Sequence, residues 1–297
     1  MYTATIGFFD GVHAGHRFLI ERLIADAREH GLQSMVITFD EHPRRVLGSD
    51  FQPLLLTTLD EKCRLLRQTG IDRTEVLHFD LQLASLSARQ FMGDVLYGRL
   101  GVRRLFIGYD NRFGHNREET FSDYVRYGSL LGMDVVQTPQ LQPGGQHVSS
   151  SVVRRFLDEG RVGEAAEALG YDYFLCGTVV DGEHIGRTLG FPTANLRPLS
   201  ADKLIPRAGA YAVSVRIDDD PTERLAMMNI GTRPTFGQHG RTLEVHLLDF
   251  HGNLYGHQLT VSFRRWLRPE QTFASEEALV RQLMTDRDNV INESYKQ

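Results

Sequence analysis

Residues 7–16 have the sequence Gly7-Phe8-Phe9-Asp10-Gly11-Val12-His13-Ala14-Gly15-His16. The apolar residues 4–6 before this stretch are typical of a β-strand, and apolar residues 18–24 after it recur at helical spacing up to a His-Gly stop at 30–31. The three glycines would let a ligand approach the backbone closely, and the start of a helix offers unpaired N–H groups to an anion. The stretch therefore predicts a strand, a phosphate-binding turn and a helix.

The two histidines of this turn carry its chemistry. His13 and His16 are three residues apart, so both imidazoles would converge on one phosphate if His16 opens the helix, and each can donate a hydrogen bond. The same spacing occurs between metal ligands, although neither a cysteine nor a second histidine pair lies nearby in sequence. A zinc site and two surface histidines without a role are therefore the alternatives.

The composition indicates the class of protein and excludes some partners. The 297 residues are enough for two domains with their own cores. The 33 basic and 38 acidic residues give a net charge of −5, which argues against nucleic acid as the main partner. Neither a membrane-spanning apolar run nor a signal segment is found, so we expect a cytoplasmic protein with no membrane partner. Cys63 and Cys176 are far apart and are expected to be reduced thiols.

The first half of the chain alternates short apolar runs with amphipathic stretches, which is typical of a parallel α/β sheet. Asp60 and Ser87 are the expected N-caps of two of its helices. The predicted strands are 4–7, 34–39, 75–79, 103–108 and 134–138, and the predicted helices are 15–29, 59–68, 87–100 and 120–131.

Two loops follow strands of this predicted sheet, at 9–16 and at 108–114. Ligands bind at the carboxyl edge of such sheets, so both loops are expected to meet over one crevice. The second loop contains Asp110 and Asn111, and on its residues alone it also fits an ordinary Asp-Asn turn.

A third polar segment lies at 148–154, where serines lead into a predicted helix. Ser150 and Ser151 at the helix start could be caps and nothing more. Together with Arg154 one turn later they could instead form an anion cradle suited to the phosphates of ATP.

The pattern changes after a predicted helical connector at 156–170, and the domain boundary is predicted near residue 170. Short strands separated by turns predict a small antiparallel barrel at 173–180, 193–196, 211–217, 226–230, 243–248 and 258–266. A closing helix is predicted over 275–290, with Ser275 as its cap and an apolar stripe of Leu279, Leu283 and Met284.

The segment 186–195 (GRTLGFPTAN) predicts a second site within the barrel. Thr193 and Asn195 are two apart and face the same side of a strand, so the hydroxyl and the amide oxygen could both reach a hard cation such as Mg²⁺. A β-turn leading into an edge strand is the alternative.

The motifs together resemble those of a known family. Residues 7–16 resemble the HxGH signature of nucleotidyltransferases, and the form with Phe9-Asp10-Gly11 is most similar to the FMN adenylyltransferase half of bacterial bifunctional FAD synthetases. Residues 186–195 resemble the riboflavin kinase signature, and 229–236, 244–250 and 254–256 follow in family order. The resemblance covers nearly the whole chain. It implies a Rossmann-like nucleotidyltransferase domain at 1–170 and a riboflavin kinase β-barrel with a C-terminal helix at 171–297.

The resemblance also implies roles for individual residues. Glu244 would be the general base on the riboflavin 5′-hydroxyl, with a solvent-facing strand residue as the alternative. His13, His16 and Arg154 would be the catalytic residues of adenylyl transfer, and Thr193 and Asn195 the Mg²⁺ ligands. The implied substrate- and flavin-binding residues are Gly7, Phe9, Asp10, Gly15, Asp110, Ser150, Ser151, Gly186, Arg187, Gly190, Phe191, Arg268 and Glu270.

The implied activity is phosphorylation of riboflavin to FMN with MgATP, followed by adenylylation of FMN to FAD with release of pyrophosphate. The expected partners are these small molecules, and the residues specify no oligomeric state. Two alternatives remain: an N-terminal enzyme acting on another phosphate acceptor, and a flavin carrier without catalysis. The chain departs from the family pattern at Phe8, Asn111 and Ser151.

Overall fold

The computed structural model describes residues 1–48, 52–108, 111–115, 118–138, 148–182, 186, 189–232 and 241–294. The chain divides into two compact units, Met1–Ser150 and Ser151–Gln297. Among the described residues, none of the helices combines the length and the apolar character that crossing a bilayer requires.

The first unit is built on a parallel sheet. The strands of its described part have the order β3-β2-β1-β4-β5, with β1 paired to both β2 and β4. Because the strand order reverses beside β1, a crevice opens at the carboxyl ends of β1 and β4, where such sheets bind ligands. The predicted alternation is confirmed. The strands are β1 (Tyr2–Ile6), β2 (Gln33–Phe39), β3 (Arg73–Leu77), β4 (Val102–Gly108) and β5 (Asp134–Thr138).

Helices connect these strands, and the longer ones, α1, α3 and α6, bury one face and contact the sheet. In α1 the buried positions Leu19, Ile20, Leu23 and Ala27 follow the helical period. The helices are α1 (Ala14–Glu29), α2 (Pro43–Val46), α3 (Leu59–Gln68), α4 (Leu81–Ala84), α5 (Ala88–Gln90) and α6 (Phe121–Leu131), with a 3₁₀ turn at Asp10–Val12 and a π-helix at Phe91–Arg99.

The helix caps correct one prediction and confirm another. Asp60 is not the cap of α3, because the helix begins at Leu59 and Thr58 forms a reciprocal capping box with Glu61. Ser87 is the cap of α5, as predicted, and accepts a hydrogen bond from the backbone N–H of Gln90. The predicted single helix 87–100 becomes a π-helix after its first turn.

The second unit contains a closed antiparallel barrel of strand order β10-β7-β6-β11-β8-β9 in its described part. Leu243, Val245 and Leu247 are buried along β10, while Glu244 and His246 between them are only partly buried. The strands are β6 (Phe174–Val180), β7 (Ala194–Pro198), β8 (Gly209–Ile217), β9 (Arg224–Thr232), β10 (Arg241–Leu247) and β11 (Gln258–Arg268). The predicted barrel is confirmed.

The connector before the barrel is two helices and not one. Helix α7 (Ser150–Asp158) ends before Gly160, whose φ is 79°, and α8 (Val162–Leu169) follows. A Cβ at Gly160 would lie 3.1 Å from the Trp266 ring, so the indole packs directly on this glycine. The break allows the chain to pass close to the barrel.

Helix α9 (Glu276–Ser294) ends the chain's described part and packs on the barrel. Ser275 caps it by accepting from the N–H of Ala278 at 3.3 Å. The predicted stripe was wrong at Met284, which is 46% exposed, because Val280, Leu283 and Val290 form the face that joins a core cluster.

Candidate active sites

The turn after β1 has a strained backbone. Phe9, Gly11 and Val12 have φ values of 55°, 78° and 38°. A left-handed conformation is costly for a β-branched residue such as valine, and Phe9 and Val12 are both buried. Strain of this kind persists only where surrounding contacts enforce it, and it is concentrated at functional sites.

Asp10 supplies contacts that enforce this path. Its carboxylate accepts hydrogen bonds from the backbone N–H groups of Leu56 and Thr57 and from the Thr57 hydroxyl, at 3.0 to 3.2 Å. The Thr57 hydroxyl oxygen in turn accepts from the N–H of Gly11 at 3.0 Å. Asp10 is buried, so the structure gives it a clear role in holding the turn against the segment before α3.

The two histidines lie where the turn meets α1. The helix begins at Ala14, so His16 does not open it; His13 is the N-cap, and its Nδ1 accepts from the N–H of His16 at 3.4 Å. The imidazole rings are stacked, with centroids 3.6 Å apart. The structure thus brings the pair together by a different arrangement from the one predicted.

Burial, together with the nearby His13 and Lys62, holds the pKa of His16 well below 6.5. His16 is therefore a neutral imidazole at physiological pH. Its Nδ1 is buried and has no hydrogen-bond partner among the described residues. Across all the residues that the structure describes, no group of three or more His, Cys, Asp or Glu side chains could hold a metal ion.

The glycines beside the histidines make room for side chains of the turn itself. A Cβ on Gly15 would lie 3.2 Å from the His13 ring and 3.8 Å from the Val148 carbonyl oxygen. A Cβ on Gly7 would lie 3.1 Å from the Phe9 ring. The space beside these glycines, which was predicted to admit a ligand, is therefore partly filled by side chains of the turn.

Two other polar segments reach the same turn within the first unit. The Ser150 hydroxyl donates to the Asp10 carbonyl oxygen in the 3₁₀ turn at 3.0 Å. The Asn111 amide donates to the Ile6 carbonyl oxygen at the end of β1. The sequence prediction that these loops share one edge of the sheet is consistent with both contacts, while Asp110 lies outside the described residues.

Ser151 and Arg154 lie on α7, beyond the end of the first unit. Ser151 is exposed. Arg154 follows Ser150 by one helical turn, so Ser150 and Arg154 lie on the same face of the helix.

Sequence reasoning missed Lys62, which lies below the turn. Its ammonium group donates to the carbonyl oxygens of Phe8 at 3.0 Å and Phe39 at 2.8 Å. No motif marks this lysine, since its partners are 54 and 23 positions away. A lysine on the buried face of an amphipathic helix was the only available signal.

In the barrel, strand register brings the second set of residues together. Glu244 on β10 lies directly opposite Asn195 on β7 in the antiparallel pair. Cβ atoms of such pairs are about 5 Å apart and on the same face of the sheet. Glu244, Asn195 and Thr193 are all partly buried.

Glycines also shape this second set. A Cβ on Gly182 would collide with the Asn195 amide, so this glycine, which sequence reasoning missed, is required for the observed position of Asn195. Gly186 accepts from the N–H of Phe191 at 2.8 Å, and a Cβ on Gly186 would lie 3.2 Å from the Thr193 hydroxyl oxygen. Gly190 has a φ of 81° within the turn, and Arg187 lies outside the described residues.

A cavity of about 350 Å³ opens beside Thr193. Its volume is at the low end for small-molecule sites. The carbonyl oxygen of Pro192, which precedes Thr193, accepts from His246 Nδ1–H at 2.8 Å, and the His246 ring packs edge-on against Phe191. The lining residues are Val179, Pro192, Thr193, Ala194, Val245, Leu247, Phe250, Gly252, Asn253, Leu254 and Tyr255.

The two predicted flavin-contacting residues at the end of β11 have partners in the structure. The Arg268 guanidinium forms a salt bridge of 2.9 Å with the buried Asp286 of α9. The Glu270 carboxylate accepts from the hydroxyl and the N–H of Thr232. Arg268 thus joins the helix to the barrel, and Glu270 joins the chain after β11 to the end of β9.

Comparisons with known proteins match both units. The family described as FAD synthetase matches residues 2–152, and the family described as riboflavin kinase matches residues 169–293. Proteins described as bifunctional riboflavin kinase/FMN adenylyltransferase from Escherichia coli K12 and Listeria monocytogenes are 40% and 36% identical to the chain. The alignments cover 95% and 96% of this chain and 89% and 90% of the relatives.

A crystal structure of a Streptococcus pneumoniae protein described as a macrolide-efflux protein has the same fold. It superposes with a TM-score of 0.88 and 30% sequence identity over 98% of this chain and 94% of that chain. The description of that protein concerns efflux, and what the two chains share is their fold. The matches across both units show that the chain belongs to the family of bifunctional riboflavin kinase/FMN adenylyltransferases.

Proposed function

We propose that the chain phosphorylates riboflavin to FMN with MgATP and then adenylylates FMN to FAD with a second ATP, releasing pyrophosphate. The observation that carries this proposal is the presence of one polar cluster in each unit: the stacked His13–His16 pair at the start of α1, and Glu244 opposite Asn195 in the barrel. Each cluster suits a different transfer from ATP.

In the proposed adenylyl transfer, a phosphate oxygen of FMN attacks the α-phosphorus of ATP in line, and pyrophosphate leaves. No covalent enzyme intermediate is needed, so catalysis depends on positioning and on stabilising the charge of the transition state. Neutral His16 can donate one N–H to a phosphate oxygen. His13, Ser150 and Arg154 supply further donors, and the N–H groups at the start of α1 add to them.

In the proposed kinase reaction, Glu244 accepts the proton of the riboflavin 5′-hydroxyl as the oxygen attacks the γ-phosphorus of ATP, and ADP leaves as the bond between the γ-phosphorus and the bridging oxygen breaks. Its partial burial and its place opposite Asn195 support this role. The cavity beside Thr193 provides space for part of a substrate.

The oxygen donors next to Glu244 fit a Mg²⁺ ion. Thr193 and Asn195 offer a hydroxyl and an amide oxygen, and the packing of Gly182 against the amide fixes Asn195 in place. Two neutral ligands are compatible with Mg²⁺ when phosphates and water complete the coordination. Mg²⁺, when bound, neutralises the phosphate charge that develops during transfer.

We further propose residues 1–170 as the adenylyltransferase domain with its connector and residues 171–297 as the kinase domain. The reactions would take place in the cytoplasm with small-molecule partners. The proposed binding roles of Gly7, Phe9, Gly15, Gly190 and Phe191 are supported by their positions in the two turns. Asp10 and Arg268 would act by holding their segments in place.

A product assay tests the proposal. The protein is incubated with riboflavin and MgATP, and the fluorescent flavins are separated over time. FMN should appear first and FAD later, and FMN supplied directly should give FAD. Bound flavin without turnover would favour a carrier, and a failure to convert either flavin would contradict the proposal.

A further inference from the structure

Lys62 is a buried cation next to the proposed adenylyl-transfer turn. Its side chain is only 2% exposed, although it lies on α3, whose other basic residues are more accessible. Lysine is rarely buried to this extent, because removing an ammonium group from water is costly unless hydrogen bonds compensate. A buried lysine therefore requires a physical explanation.

The contacts of Lys62 join the ends of two strands. Its ammonium donates to the Phe39 carbonyl oxygen at the end of β2 and to the Phe8 carbonyl oxygen just after β1. The Phe8 oxygen also accepts from the Thr38 hydroxyl at 3.0 Å, and the ammonium lies 3.9 Å from the centre of the Phe8 ring. These contacts fix the peptide that immediately precedes the left-handed Phe9.

The charged and titratable groups around Lys62 come from several elements. Burial lowers the pKa of Lys62 to about 8, whereas Asp10 in the 3₁₀ turn, Cys63 on α3 and Asp40 after β2 favour the charged ammonium. The ammonium in turn lowers the pKa of His16 on α1. Its charge therefore acts on His16 at neutral pH.

We propose that Lys62 is a positioning residue for adenylyl transfer, which holds the strained 8–12 backbone and supplies buried positive charge behind the phosphate-binding turn. This inference rests on the proposed function of that turn. Charge in a poorly hydrated interior is weakly screened, so it favours phosphate binding at the turn even though Lys62 need not touch the substrate. The neutral state of His16 follows partly from the same charge.

The test compares K62M with R67M in the full-length chain. Both variants remove one positive charge from α3 and introduce the same residue, but Arg67 is exposed and its Nε donates only to the Cys63 carbonyl among the contacts seen. We expect K62M to lower kcat/KM for FAD formation from FMN by about 10-fold to 100-fold, because small displacements near a reacting centre have effects of this size. R67M should retain the wild-type value, and both should form FMN normally in the barrel.

A pH profile separates the charge from a purely structural role. In the wild type, kcat/KM for FAD formation should fall above about pH 8, as the ammonium loses its proton. In K62R the fall should move to higher pH, because a guanidinium stays charged. If K62M does not fold, the comparison of the wild-type and K62R pH profiles tests the inference without it.

Wild-type and K62R profiles of identical shape, or a folded K62M as active as R67M, would overturn the inference. If the wild type itself made no FAD from FMN and MgATP, the proposed function of the turn would be wrong, and this result is distinct from the two results that would contradict the role of Lys62.

Discussion

The two candidate sites are held in place by different kinds of contact. In the N-terminal unit, buried side chains from distant parts of the sequence, Asp10 and Lys62, bind backbone groups and maintain a strained turn. In the barrel, the register of β7 and β10 places Asn195 opposite Glu244, and Gly182 leaves room for the Asn195 amide.

The difference has consequences for how each site responds to substitution. A turn held by buried polar groups is sensitive to residues that never touch a substrate, because an unsatisfied buried donor is costly. A site built on strand register is sensitive mainly to its own side chains and to the small residues packed against them.

The largest effect is expected for Glu244→Gln in the barrel. Loss of a general base lowers the rate by about 10² to 10⁴, so FMN formation from riboflavin should fall by that factor. FAD formation from supplied FMN should stay at the wild-type rate. Rate measurements with each flavin check this, with Glu276→Gln, at an exposed position of α9, as the control. Unchanged FMN formation would show that Glu244 is a solvent-facing strand residue.

Asp10→Asn should destabilise the N-terminal unit. The amide can no longer accept at both oxygens from the Leu56 and Thr57 groups, and we expect a loss of about 2 to 3 kcal/mol in the free energy of unfolding. Asp60→Asn, at an exposed position that is not the cap, is the matched control. Denaturant unfolding followed by circular dichroism measures both, and equal stabilities would contradict the holding role of Asp10.

Gly182→Ala tests the packing behind Asn195. The new methyl group must displace the Asn195 amide, so we expect a fall of about tenfold in kcat/KM for FMN formation and a weaker response to Mg²⁺. Gly163→Ala in α8, where a Cβ meets nothing within 4 Å, should instead raise stability by about 0.5 to 1 kcal/mol without changing activity. Normal Mg²⁺ dependence in G182A would show that Gly182 does not help to position the proposed metal ligands.

The smallest effect is a pH dependence of stability from His16. Its pKa in the folded state is below 6.5, so the unfolded chain takes up the proton first as the pH falls. The stabilisation from neutral His16 is therefore full above about pH 6.5 and is lost progressively below it. His16→Asn should lose less stability on acidification than the wild type in urea titrations. Parallel curves for the two proteins would contradict the burial of a neutral imidazole.

The sequence predicted the parts of the fold that depend on local pattern. The strands and helices of the first unit follow from the period of apolar residues, and the turn at 7–16 from its glycines. The cap of α3 was misplaced because both Thr58 and Asp60 are good caps, and only the observed bond to Glu61 distinguishes them.

What could not be predicted depends on contacts between residues far apart in the chain. Lys62 lies in no motif, and its role becomes visible only when β1 and β2 bring Phe8 and Phe39 together. Likewise, the partner of Arg268 is Asp286 on α9, which no spacing rule indicates. Sequence therefore located the turns and left open which of their residues bind substrate and which hold the turn.

The central claim is that the two reactions occur at separate sites in separate units. The double variant His13→Ala/His16→Ala, supplied with riboflavin and MgATP, tests it most directly by the time course of both products. FMN is expected to accumulate at close to the wild-type rate while FAD formation is abolished. Equal loss of FMN and FAD in a folded variant would contradict it.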